Sequence, residues 1–199
     1  MDNGLGARTS EVQWKSAKKR RDNIYKSYIN LLFDLIKKNT IHVHIRFAPA
    51  NGKSNKPEDI SKAFYQLLLH RAGRYYSADA KIRVRPDNGC CTEYLPKMLV
   101  GLNNDIHRKH GKPNNSIADI VPGDSRNEHL LQLLDVTLGA LTSLRNNNHL
   151  SGGIGPFKIA LADHTLACAP ITNIAANSPI TQNSFNIWNV MPSSTVPKR

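Results

Sequence analysis

Asp135 carries the clearest chemical potential in the sequence. In the run Leu131-Gln132-Leu133-Leu134-Asp135-Val136-Thr137-Leu138-Gly139-Ala140 it stands four residues after Leu131 and three before Leu138. Helical spacing therefore sets a carboxylate within or beside an apolar stripe. An ionised carboxylate is costly there unless it is compensated, either by a divalent cation shared with other carboxylates or by an Arg or Lys at the helix edge. Both readings stay open on spacing alone. The second chemical feature is cationic: Lys15, Lys18, Lys19, Arg20 and Arg21 crowd a short stretch, suited to phosphate contact or to a solvated helix face. They belong to a surplus of 27 Lys and Arg over 15 Asp and Glu, a formal net charge of +12. A surplus of that size favours polyanionic partners such as nucleic acid, through release of condensed counterions, although an acidic ligand surface would also serve, and it names no reaction.

Other constellations are weaker. His42 and His44 share a strand face and His107 and His110 are one helical turn apart, without a Cys or carboxylate cluster at ligand spacing beside them, so they read as surface histidines. Ser151-Gly152-Gly153-Ile154-Gly155-Pro156 lacks the Gly-Lys-Ser/Thr of a phosphate loop and reads as a flexible joint. Cys90, Cys91 and Cys168 form no CxxC pair, which argues against a zinc ribbon or a secreted disulfide framework and for a reducing, cytoplasmic setting. Trp14, Tyr25, Tyr28, Tyr75 and Tyr76 suit either base stacking or core packing. No apolar run approaches the roughly 18 residues that cross a bilayer, and none marks a signal peptide, so no membrane partner is expected.

Several elements must position these groups. Tyr25, Tyr28, Ile29, Leu32, Leu35 and Ile36 predict a long amphipathic helix over 11–38. Alternation predicts a strand at 41–47, and Pro57 opens a second helix that closes near Gly73. A short strand at 81–85 ends in the turn Pro86-Asp87-Asn88-Gly89. Thr92 caps a third helix, with Leu95, Leu99, Leu102 and Ile106 as its stripe and Gly111 at its end. After a strand at 117–121, the S-x-x-E spacing of Ser125 and Glu128 predicts a capping box, and a fourth helix whose stripe is Leu130, Leu131, Leu134, Leu138 and Leu141. This alternation predicts an α/β layer with a mixed or partly parallel sheet. Residues 1–10 read as a disordered start, 11–148 as the core, and 149–199, rich in Ser, Asn, Thr, Pro and Gly, as a weakly structured tail with a short ordered element at 157–166.

The segment Ser125 to Ala140 resembles the Leu-Gln-Leu-Ala-Asp-Leu-Leu-Ala-Gly-Ala helix of the family called domain of unknown function 3800, which follows an Asp-Ser pair, here Asp124-Ser125. Glu11-Val12-Gln13-Trp14-Lys15 is similar to that family's Glu-hydrophobic-Lys-Trp segment, Phe64-Tyr65-Gln66-Leu67-Leu68 to its intervening helix, and Arg83-Val84-Arg85-Pro86-Asp87 to a strand ending in an acid. The resemblance spans residues 11–144 in order. It implies an RNase H-like fold and a metal-dependent nuclease, in which carboxylates hold Mg²⁺ or Mn²⁺ for phosphodiester hydrolysis. Carried over, the catalytic and metal-holding candidates are Glu11, Asp87 and Asp135, with Asp124 as an outer ligand. Without the metal reading, Glu11 is a first-turn acid, Asp87 a turn former and Asp124 a helix-entry residue. The family's Asp-Glu-Ser-Gly strand has no counterpart here, so the chain reads as a member lacking its N-terminal strands. The alternative function is a non-catalytic nucleic-acid-binding remnant, with Lys15, Lys18, Lys19, Arg20 and Arg21 as the contact residues.

Overall fold

Each helix and strand forms where its apolar period can be buried. The computed structural model describes residues 11–48, 56–76, 81–89 and 91–190; the expected disordered start, 1–10, lies outside these residues, as do Cys90 and the end of the expected tail. Two compact units divide the chain, one of 1–33 with 125–169 and one of 34–124 with 170–199.

The first unit is helical. Helix α1 (Asp22–Lys37) follows a single 3₁₀ turn at Lys19–Arg21, so the helix starts later than the expected residue 11 and leaves 11–18 irregular. The unit boundary falls after Phe33, and up to that point Tyr25, Ile29, Leu32 and Phe33 are buried. Helix α5 (His129–Arg145) packs against helix α6 (Pro156–Cys168). Pro156 occupies the first turn of α6, where its missing N–H costs nothing. Tyr25 meets Phe157 at 6.1 Å between ring centroids, which ties α1 to α6.

The second unit holds the strands. Strand β1 (Val43–Phe47) pairs in parallel with β4 (Phe185–Asn189), register Val43 to Phe185 through Phe47 to Asn189. Strand β2 (Ile82–Val84) pairs in parallel with β3 (Ile117–Ile120), with an irregularity at Ile82/Arg83. Helix α2 (Pro57–Leu67) lies against β1 and runs into a π turn at Leu68–Ala72 and the short α3 (Gly73–Tyr75). Helix α4 (Leu95–His110) lies against β3 and ends at Gly111, whose φ of 64° is the left-handed cap that glycine adopts freely. Leu69, Leu102, Ile106 and Ile117 are fully or almost fully buried at the centre of this packing. Each contributes about 1.5–3 kcal/mol relative to exposure. Asn103 closes the β3 edge from α4: its Nδ2 donates to Ile117 O at 3.0 Å and its Oδ1 accepts the Ile117 N–H at 2.9 Å.

The α/β class holds, and the described strands form two separate parallel pairs. Two expectations are corrected. The segment after His149 forms its expected ordered element at 157–166 as α6, but it also supplies β4, where weak structure was expected; Asn186 and Asn189 are buried there and donate to the backbone carbonyls of Pro179, Gln182, Ile174 and Ala176. The capping box is not made either. Helix α5 starts at His129 without a side-chain cap, because Ser125 turns its hydroxyl to Glu11.

Candidate acidic positions and the cationic turn

The 11–15 segment of the first unit docks along one face of α5. Val12 N–H donates to Gln132 Oε1 at 3.1 Å, and Trp14 N–H donates to Asp135 Oδ2 at 2.8 Å. Gln132 is buried and its amide Nε2 donates in turn to the carbonyls of Ser125 and Arg126. One turn further on, Trp14 lies over Gly139, where an added Cβ would sit 2.5 Å from Trp14 Cβ. Gln132, Asp135 and Gly139 thus form an i, i+3, i+7 ladder of two side-chain acceptors for backbone N–H groups and a gap for an indole. Lys158 of α6 completes the dock, its Nζ donating to Lys15 O at 3.1 Å and standing 5.3 Å from the Trp14 ring centroid.

Two of the four candidate carboxylates, Glu11 and Asp135, take part in this docking at separate points. Glu11 accepts from Ser125 Oγ at 2.7 Å at the start of the segment, and Asp135 holds its other end. Asp135 is exposed, since the buried side of α5 is formed by Gln132, Leu133, Val136, Thr137, Ala140, Leu141, Ser143 and Leu144. The expected stripe is shifted accordingly: Leu130, Leu134 and Leu138 are exposed and only Leu141 of that set is fully buried.

Asp87 and Asp124 belong to the second unit. Asp87 lies just past the C-terminal end of β2 and bridges in parallel to Gly123, with Asn88 N–H donating to Gly123 O and Gly123 N–H to Pro86 O. Asp124 is the next residue after Gly123, so the two carboxylates stand at one end of the β2–β3 pair, on positions that alternate in face. Both are exposed. Asp119 on β3 is paired with Arg85 and Arg83. Among the described residues of either unit, no group of three or more His, Cys, Asp or Glu gathers to hold a metal ion.

The cationic run behaves differently from a helix face. Lys15, Lys18, Lys19 and Arg20 are exposed, and Arg21 is half-buried with its guanidinium 5.9 Å from the Tyr25 ring. Residues 18–21 precede the first turn of α1, at the positive end of its dipole, where added cations are unfavourable by themselves. The one acid of that first turn, Asp22, is engaged with Lys26 at 2.8 Å.

The histidines are committed within the second unit. His42 Nε2 lies 2.9 Å from Asn39 Oδ1, and His107 Nδ1 lies 2.8 Å from Lys112 O. His44 stacks flat on Tyr75, 5.5 Å between centroids and 6° between planes. Burial, and then the charges of Arg71 and His42, lower its pKa from 6.5 to about 4, so the ring is neutral at pH 7. Sequence reasoning passes over Arg46, Arg71 and Trp188, which the β1–β4 register and the π turn bring to one place. The signal for Arg46 is its alternation with Val43 and Ile45, whereas Trp188 lies in a segment of tail-like composition.

No protein-family profile, curated protein or solved structure matches this chain.

Proposed function

We propose that the protein binds nucleic acid. The carrying observation is the cationic turn at residues 18–21, before the first turn of α1. Cations crowded at the positive end of a 16-residue helix raise the free energy of the chain alone, and a phosphate backbone lowers it by pairing with the side chains and by lying at the positive end of the helix dipole. Replacing Lys18, Lys19, Arg20 and Arg21 together by Glu should weaken binding to oligonucleotides at all sequences. It should also flatten the dependence of log affinity on log salt by about 3–4, since each lost phosphate contact removes roughly 0.9. Unchanged affinity in a folded variant would reject the turn as the contact.

A second reading is an Mg²⁺- or Mn²⁺-dependent nuclease of RNase H-like fold, with Glu11, Asp87 and Asp135 as ligands and Asp124 outside them. It rests on the resemblance of residues 11–144 to the family above; Glu11 and Asp135 belong to the first unit, where each holds a hydrogen bond of the docked segment, and Asp87 and Asp124 to the second. Two carboxylates are a sufficient protein contribution for Mg²⁺ when substrate phosphates complete the shell. The cation would supply polarisation of the phosphodiester and of its attacking water. Asp135→Asn is the informative variant, because it removes the charge while keeping an oxygen for the Trp14 N–H. EDTA-sensitive cleavage that disappears in Asp135→Asn would support this reading; cleavage untouched by the substitution removes Asp135 from the site.

A further inference from the structure

We propose that Arg46, Trp188 and Arg71 form a phosphate-binding site in the second unit, through which it holds a backbone phosphate of a nucleic-acid strand. The phosphate chemistry follows from the side chains, and the choice of nucleic acid as its source rests on the function proposed above.

The β1–β4 register sets Arg46 opposite Trp188 on the sheet face that alternates away from buried Val43 and Ile45. The Arg46 guanidinium carbon stands 5.3 Å from the Trp188 ring centroid, and that of Arg71 stands 5.5 Å from it. Arg71 comes from the π turn, the widened helical turn that recurs at functional sites. Its Nη1 donates to Tyr75 Oη at 3.1 Å, which fixes the guanidinium from a second side. His70, from the same turn, meets Trp188 edge-on at 6.0 Å. Both guanidiniums thus lie within cation–π reach of one indole.

Among the described residues, no carboxylate pairs with Arg46 or Arg71. The charges acting on His44 are those of Arg71 and His42, and those acting on His70 are Lys109, His110, Arg71 and Arg74, all cationic when charged. The Nε atoms of Arg46 and Arg71 are buried without hydrogen-bond partners. Two half-buried guanidiniums beside one indole, with no carboxylate partner among the described residues, are costly, and an oxyanion accepting from their remaining N–H groups lowers that cost. Phosphate fits because its oxygens match the planar fork of a guanidinium and its charge answers that of both, and the aromatic surround of Trp188 and Tyr75 suits a strand whose bases lie beside its backbone.

The test uses the full chain with 5-fluorotryptophan at its two tryptophans, the Trp188 resonance being assigned by Trp188→Phe. Inorganic phosphate, a mononucleotide and a single-stranded oligonucleotide are titrated in turn, and oligonucleotide affinity is read by fluorescence anisotropy. The proposal expects a saturable Trp188 shift with phosphate, tightest with the oligonucleotide, and an affinity loss of tenfold or more in Arg46→Gln with Arg71→Gln. Arg46→Lys keeps the charge, and serves should the Gln pair fail to fold; it should lose several-fold because the planar fork is gone. Oligonucleotide affinity that is undiminished in Arg46→Lys and in the folded Gln pair overturns the site while leaving nucleic-acid binding by residues 18–21 in place. A phosphate shift without oligonucleotide binding upholds the anion site and overturns nucleic acid as its source. Absence of any Trp188 shift overturns the proposal.

Discussion

Replacing His44 by Phe should change how stability depends on pH, and the size of the change can be worked from its surroundings. The ring is stacked on Tyr75 with both nitrogens buried and unpaired, beside Arg71 and His42. In the unfolded chain it takes up a proton near pH 6.5, and in the folded protein only near 4. Between these values the unfolded state binds the extra proton, so folding stability falls as pH is lowered through that window and is complete above it. At about 1.36 kcal/mol for each pH unit of separation the full penalty would be about 3 kcal/mol. The ring is only partly buried, so solvent screening reduces the expected loss to about 1–2 kcal/mol. Phe keeps the flat contact with Tyr75 and cannot titrate. Urea unfolding of both proteins at about pH 7 and about pH 4.5, followed by tryptophan emission, cancels the carboxylates and other histidines common to the two. The variant should be as stable as the wild type or slightly more so at neutral pH, and should lose about 1–2 kcal/mol less on acidification. Parallel losses in the two proteins would refute the assignment of a buried neutral imidazole.

Three further outcomes test the packing of the first unit. Gly139→Ala places a methyl group into Trp14 and should cost about 1–3 kcal/mol, read as a lower urea midpoint; an unshifted midpoint would contradict the docked indole. Leu141→Ala should cost about 2–5 kcal/mol and Leu138→Ala no more than about 0.5, because the first is fully buried and the second exposed; equal costs would mean that α5 presents a different face to its core. Asp135→Ala should lose about 1 kcal/mol, with most of it returned in Asp135→Asn, as thermal unfolding would report; indifference to both would show that the Trp14 N–H has no need of this acceptor.

The elements legible in the sequence are those where a local signal and burial agree. Alternation places β1, Pro57 opens α2, and Gly111 closes α4 in its left-handed cap. Helix α5 defeats the same logic because its core face carries Gln132, Thr137 and Ser143 while three leucines face outward. Gln132 is buried to serve as an acceptor for another segment, and no periodicity within the helix announces such a partner. Strand β4 is hidden for a related reason. Phe185–Asn189 is buried at four of its five positions, so it shows no alternation, and the side-chain amide nitrogens of its asparagines donate to carbonyls outside the strand. The candidate acids are legible as residues, but their grouping is not: Asp135 is distinguished by the backbone N–H it accepts, and Asp87 by a bridge to Gly123.

The pairing of β1 with β4 sets a timetable for synthesis. The strand ending at Phe47 waits for one beginning at Phe185, so at roughly 5–20 residues per second a ribosome takes on the order of 7–28 s to deliver the partner. Throughout that interval β1 offers an unpaired edge, and the second unit cannot close on the nascent chain. His44 and Arg46 then have value before any ligand arrives, since polar and charged side chains along an open edge discourage its capture by another strand. A chain ended at residue 148 would keep that edge permanently open, and would be expected to aggregate where the longer chain folds.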